Sequence, residues 1–175
     1  MRMLTALAIA VCMSGGSAVQ VQATPDFSGQ WTVEAAPAPA TQSPLPRGDM
    51  GSGWGSPLTI AQDARQLVVE QTLFSRYDLQ PPVRFVYALD GSETRNPVMT
   101  GHTTQLRVSR ASWDGQTLRI TTNYPAIDPA SGNAFTTEVT YRLTLESPTT
   151  LVIEATRGAA LGGQPTKTRT VYRKN

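Results

Sequence analysis

Phe135-Thr136-Thr137-Glu138-Val139-Thr140-Tyr141-Arg142-Leu143-Thr144-Leu145-Glu146 decides the fold. A period of two puts Phe135, Thr137, Val139, Tyr141, Leu143 and Leu145 on one face, and Thr136, Glu138, Thr140, Arg142, Thr144 and Glu146 on the other. That is the pattern of a strand with one face buried. A strand this long suits a barrel or a strongly coiled sheet, because a flat sheet would leave its edges exposed. Leu118, Ile120, Thr122 and Tyr124 repeat the alternation upstream, as do Val83, Phe85, Tyr87 and Leu89.

Three windows align on a leucine: Gln62–Glu70, Trp113–Thr121 and Glu146–Glu154, with Leu67, Leu118 and Leu151 in register. Each sets turn-forming residues ahead of a β-branched run and follows another strand-like run, so each predicts a β-hairpin. The predicted strands are 29–35, 57–62, 66–73, 83–89, 103–112, 117–124, 135–146, 150–157 and 167–173. Short sequential connections make this an all-β chain, an antiparallel up-and-down barrel of about eight or nine strands.

Residues 1–23 read as a secretory signal peptide: Arg2, then the apolar run from Leu4 to Met13, then small residues ending at Val21-Gln22-Ala23. The run is too short for the roughly 20 residues of a membrane-spanning helix. Cleavage is expected after Ala23, with Ala18 as a second position, leaving 24–175 as one domain in the periplasm or outside the cell. Cys12 follows Val11, where a lipobox needs a small residue, so it reads as part of the discarded leader. The mature chain then has no cysteine and relies on packing and sheet hydrogen bonds. The whole chain carries a net charge of +2, without a dense basic stripe, which argues against a nucleic-acid partner.

Pro25-Asp26-Phe27-Ser28-Gly29-Gln30-Trp31 opens the mature chain. Gly29 and Trp31, a Gly-x-Trp on the first strand after a short turn, resemble the signature of the lipocalin (calycin) family. The resemblance implies a lipocalin-like barrel whose closed end is crossed by Trp31. It also implies a guanidinium over that ring, from Arg169 or Arg173 on the last strand. The chain departs from the family where residues 158–165 are too glycine-rich for the helix that usually precedes the last strand. The mature chain also resembles secreted bacterial proteins with a similar start and stretches like Ser56–Ile60, Tyr87–Glu93 and Val171–Lys174, which implies export and no particular activity.

Candidate chemistry is sparse. No Gly-x-Ser-x-Gly elbow is present, and His102 is the single imidazole, in a connection entering a strand. Asp90 and Glu93 share a turn and could serve as an acid/base pair only if one were buried. Asp128–Asn133 bunches oxygen ligands without the spacing of a Ca²⁺ loop. Gly51–Gly55 lacks the context of a phosphate cradle, and Arg47-Gly48-Asp49 is a tripeptide of common occurrence. The expectation is therefore no enzyme, no metal and no cofactor.

What remains is a barrel interior lined by Phe85, Tyr87, Tyr124 and Tyr141, with His102 at the rim. The Pro/Gly-rich segment 35–57 carries Trp54 and is read as a loop or lid. Apolar walls with a few hydroxyls suit a small, largely apolar ligand, and the same residues also suit a filled core. The first reading is a lipocalin-like binding protein. The second is a cell-envelope protein–protein interaction module without a ligand. Oligomeric state is not legible.

Overall fold

The computed structural model describes residues 23–34, 56–71, 82–100, 103–128, 130–158 and 164–175. Residues 1–22, nearly all of the segment read as a signal peptide, and most of the 35–57 segment, with Trp54, lie outside the described residues, as does His102. The described chain forms ten strands and no helix: β1 Gly29–Val33, β2 Leu58–Gln62, β3 Gln66–Gln71, β4 Val83–Ala88, β5 Glu93–Thr100, β6 Thr103–Asp114, β7 Thr117–Ile127, β8 Ala134–Ser147, β9 Thr150–Arg157 and β10 Thr166–Lys174.

All ten belong to one antiparallel sheet in the order β4-β3-β2-β1-β10-β9-β8-β7-β6-β5. Every neighbour is a neighbour in sequence, apart from β1 and β10, where the two ends of the chain pair (Trp31 opposite Lys174, Val33 opposite Tyr172). The sheet is therefore a meander bent round into a nearly closed up-and-down barrel. The hairpins predicted from the aligned leucines are β2–β3, β6–β7 and β8–β9. Leu67, Leu118 and Leu151 are all fully buried.

The strand not foreseen is β5, which makes ten rather than eight or nine. It contains Asn96-Pro97, a pair that reads as a loop because proline cannot donate to a ladder. In the fold, β5 has a backbone ladder only with β6, where Pro97 stands opposite Leu106. A strand with one free side can accommodate a residue without an N–H.

That free side is the seam of the barrel. β4 and β5 lie side by side without a backbone ladder. The side-chain amide of Asn96, itself buried, fills the gap. Its Oδ1 accepts from the Val86 N–H at 2.8 Å and its Nδ2 donates to the Val86 carbonyl at 3.0 Å. One side chain thus supplies the donor and the acceptor that a neighbouring peptide would have offered.

Alternating strand direction sorts the connections. The short turns 63–65, 89–92, 115–116 and 148–149 share one end with the residues before β1 and after β10. The strand ends that flank the β1–β2, β3–β4, β5–β6, β7–β8 and β9–β10 connections share the other end. Aspartates organise several turns. Asp63 Oδ1 accepts from Arg65 N–H at 2.7 Å and Gln66 N–H at 2.8 Å. Asp90 accepts from Ser92 N–H, and Asp128 accepts from Ser131 Oγ and Ala130 N–H.

These bonds favour the ionised carboxylates and hold all three below the usual aspartate range. With folded values depressed, their stabilising contribution is complete above the unfolded value of about 3.9 and is lost as pH falls through the folded values. An NMR titration of these carboxyl carbons should show protonation below that of an unstructured aspartate, together with falling stability below about pH 4. Midpoints at the unstructured value would contradict it.

Candidate functional site

The short-turn end is plugged. Phe27 stacks on Trp113 with ring centroids 5.8 Å apart and planes 7° from parallel. Gln62 holds the segment in place: its Oε1 accepts from Phe27 N–H at 3.0 Å and its Nε2 donates to Pro25 O at 2.8 Å. Trp31 lies buried beside this plug and donates its indole N–H to Phe27 O at 2.9 Å.

The cation over the Trp31 ring is Lys174, its Nζ 5.4 Å from the centroid. Neither arginine expected there occupies the place. Arg169 pairs with Glu146, and Arg173 with Glu34 and the Thr150 hydroxyl. The reason is strand parity: Tyr172 points inward, so Lys174 shares its face, whereas residues 169 and 173 face outward. Gly29 makes the lysine's path possible. Its φ of +143° is one that L side chains rarely adopt, and a Cβ there would collide with Lys174 Cε.

The wall formed by β6, β7 and β8 changes character along its length. Toward the plugged end its inward residues are Trp113, Leu118, Leu143, Ala111 and Ile120, a filled apolar core. Toward the other end they become Ser109, Thr122, Arg107, Tyr124 and Thr137. Ser109 Oγ and Thr122 Oγ1 bond across the strands at 2.9 Å, and the Tyr124 and Tyr141 hydroxyls bond at 2.6 Å.

Arg107 is the centre of this polar region. It is 4% exposed, and its guanidinium lies 4.6 Å from the Tyr124 ring centroid and 5.8 Å from that of Phe85. Phe85 stacks in turn on Tyr87, with centroids 6.3 Å apart. The structure therefore gathers Phe85, Tyr87, Tyr124 and Tyr141, all named from sequence, around an arginine that sequence reading missed. Burial pushes the Tyr87 phenol far up; the Tyr124 phenol beside it adds to this, while Arg107 opposes it. Burial also raises Tyr124, against the bond to Tyr141 and the pull of Arg107. Both phenols stay neutral near pH 7, so neither balances the charge of Arg107.

The missed signal was on β6 itself. Thr103–Asp114 reads as though Leu106 and Val108 should be inside. The opposite holds: Arg107 and Ser109 are buried and Leu106 is 47% exposed. The parity is set by Ala111 and Trp113 at the far end of the strand, whose burial against Ile120 and Leu118 fixes the register. A strand whose binary pattern runs against its fold is a local conflict of the kind found at functional sites.

The other candidates fall apart as chemistry. Asp90 caps its turn in solvent, and Glu93 forms exposed ion pairs with Arg95 and Arg110. Asp128–Asn133 is a hairpin connection, closed by Asp128 N–H to Asn133 O at 2.9 Å. Among the described residues there is no group of three His, Cys, Asp or Glu placed to hold a metal, and no helix long and apolar enough to cross a membrane. A depression of about 680 Å³ lies on the outside at the seam, lined in part by Arg65, Val86, Leu89 and Asp90. No protein-family model, no curated protein and no solved structure matches this chain, so its function has to be argued from the barrel itself.

Proposed function

We propose that the protein is an exported binding protein, lipocalin-like in plan and without catalytic activity, that takes a small, largely apolar molecule into the end of the barrel opposite the plug. The observation that carries this reading is the polar group around Arg107, held inside the barrel by a strand whose pattern runs the wrong way. A core built for stability alone would place Leu106 and Val108 inside. The three tyrosines and Phe85 supply apolar surface with a few polar handles, the usual make-up of a small-molecule site. Export, with cleavage after Ala23, is part of the same proposal and rests on the leader's sequence.

The test is titration of the purified mature protein with N-phenyl-1-naphthylamine, a neutral apolar fluorophore, alongside native mass spectrometry of protein taken from its own host. A saturable one-to-one fluorescence rise, competed by a co-purifying small molecule, is expected. A protein that is empty and inert to the probe would defeat the reading.

One observation favours the alternative, an envelope interaction module. Met99, Leu106 and Ile127 are exposed apolar residues on three adjacent strands toward the same end. On that reading Leu106→Lys abolishes capture of an envelope partner and leaves probe binding unchanged.

A further inference from the structure

Two hairpins reach past the closed part of the barrel. The β6–β7 ladder ends at Val108 opposite Asn123. Beyond it, β6 pairs only with β5, as far as Thr103 opposite Thr100, and β7 pairs only with β8, as far as Ile127 opposite Ala134. The β8–β9 ladder ends at Val139 opposite Arg157, so the outer part of β7–β8 is a two-stranded ribbon. A cleft therefore separates β6 residues 103–107 from β7 residues 124–127, with the Arg107 guanidinium over the Tyr124 ring at its inner side.

Strand parity says which peptide groups face this cleft. The two-residue turn 115–116 makes Asp114 and Thr117 a hydrogen-bonded pair, and such pairs recur at every second position. The one after Val108–Asn123 would be Leu106–Pro125. The Glu138 carbonyl gives the same parity from the other side: it accepts from Gly158 N–H at 2.8 Å, which turns even-numbered β8 residues away from β7. Pro125 has no N–H, so the pair cannot form and the ladder stops. On the β6 lip, the N–H and C=O of Thr104 and Leu106 point into the cleft without a ladder partner. Edges of this kind are normally guarded by proline or charge. Pro125 guards the β7 lip, whereas residues 103–106, Thr-Thr-Gln-Leu, have neither guard. Among the described residues, the large apolar side chains that are exposed, Met99, Leu106 and Ile127, all lie on these two hairpins.

The geometry points to the β6 lip as a strand-addition site for an extended peptide segment of a partner protein. A row of peptide dipoles is complemented by another backbone, whereas a lipid tail would leave those dipoles unpaired. The added segment needs an N–H at each position that faces β6, so it carries no proline there. Its side chains alternate: those turned outward lie beside Leu106 and Ile127 and are apolar, and those turned inward lie level with Gln105 and Arg107 and are polar. The site goes beyond the small-molecule reading and does not depend on it, because it uses backbone groups at the edge of β6.

The probe is a phage-displayed library of random heptapeptides panned against the mature protein, with the best-enriched sequence then made as a synthetic peptide. Enriched sequences are expected to alternate apolar with polar residues and to lack internal proline. Calorimetry then compares Leu106→Pro with Leu106→Val, which have side chains of similar size and differ in the N–H. Leu106→Pro should weaken the peptide about 10-fold or more, and Leu106→Val should stay within about threefold, since a lost backbone bond also leaves a peptide carbonyl unpaired. Equal losses in the two variants, no enrichment, or enrichment without alternation would overturn the inference.

Hydrogen exchange gives the answer if Leu106→Pro does not fold. In the free wild-type protein the Thr104 and Leu106 amides should exchange fast and those of Gln105 and Arg107, which face β5, slowly. The peptide should slow the first two by at least about 10-fold. Protection at Thr104 and Leu106 without peptide would overturn the inference. So would a dimer in sedimentation velocity that Leu106→Pro dissolves, since a second copy would then hold the edge. Flotation with phosphatidylcholine–phosphatidylglycerol vesicles, equal in both variants and without peptide binding, would overturn it in favour of a membrane contact.

Discussion

Trp31→Ala destabilises the protein by about 3–5 kcal/mol, the range for deleting a buried indole. The ring is among the largest fully buried side chains, its N–H is bonded to Phe27 O, and one face is covered by Lys174. Truncation would empty the plugged end, orphan the Phe27 carbonyl, and loosen the β1–β10 ladder, where Trp31 pairs with Lys174. Trp31→Phe keeps most of the volume and loses the hydrogen bond, so it should cost distinctly less. Lys174→Met removes only the cation and should cost under about 1 kcal/mol. Urea denaturation of the three variants gives the order directly. A loss below about 1.5 kcal/mol for Trp31→Ala would mean that the end of the barrel does not rest on this ring.

Asn96→Leu should cost about 2–4 kcal/mol with almost no change in volume, because it leaves the Val86 N–H and carbonyl without the partners they have in the seam. Hydrogen exchange at Val86 should accelerate far more than at Val69 or Ile120, which sit in complete ladders. Asn96→Asp makes a sharper probe. As an ionised group it can accept from Val86 N–H but repels the Val86 carbonyl. Protonated, it regains a donor and can make both bonds. Its folded pKa is therefore raised above the unfolded value of about 3.9. The sign follows: the stability supplied by the protonated form is present below that value and is lost as pH rises through the folded pKa. Recovery of the variant on mild acidification is the expected result, and a pH-independent deficit would show that the amide is not closing the seam.

Much of the architecture is legible because alternation is a strong signal wherever one face is fully buried. The β8 pattern and the three aligned leucines fix hairpins, faces and class together, since a one-residue slip would expose every inward side chain. The misreadings have two sources. Pro97 is a poor strand residue in general but a tolerable one beside a seam, and nothing local announces a seam. Arg107 was missed because inwardness on β6 is set at Ala111 and Trp113 and has to be propagated by parity against local hydrophobicity, and Lys174 was missed because its face follows from Tyr172, whose burial the sequence pattern of β10 does not announce. Phe85, Tyr87, Tyr124 and Tyr141 were accessible to pattern reading, and the charge at the middle of them was not.

The β1–β10 ladder has a consequence for the order in which the chain could be written. Because strands that pair are consecutive all round the ring, and the one consecutive pair without a ladder is β4–β5, the start of the polypeptide is arbitrary with respect to backbone pairing. Asn175 N–H already donates to Gln30 O at 3.0 Å, so the end of the described chain lies against the first strand. A circular permutant that links Asn175 to Ala23 and opens the chain within residues 89–92 would keep every backbone ladder. The new ends would hang beside the Asn96 bridge, and the integrity of the ring would then rest on one side-chain amide.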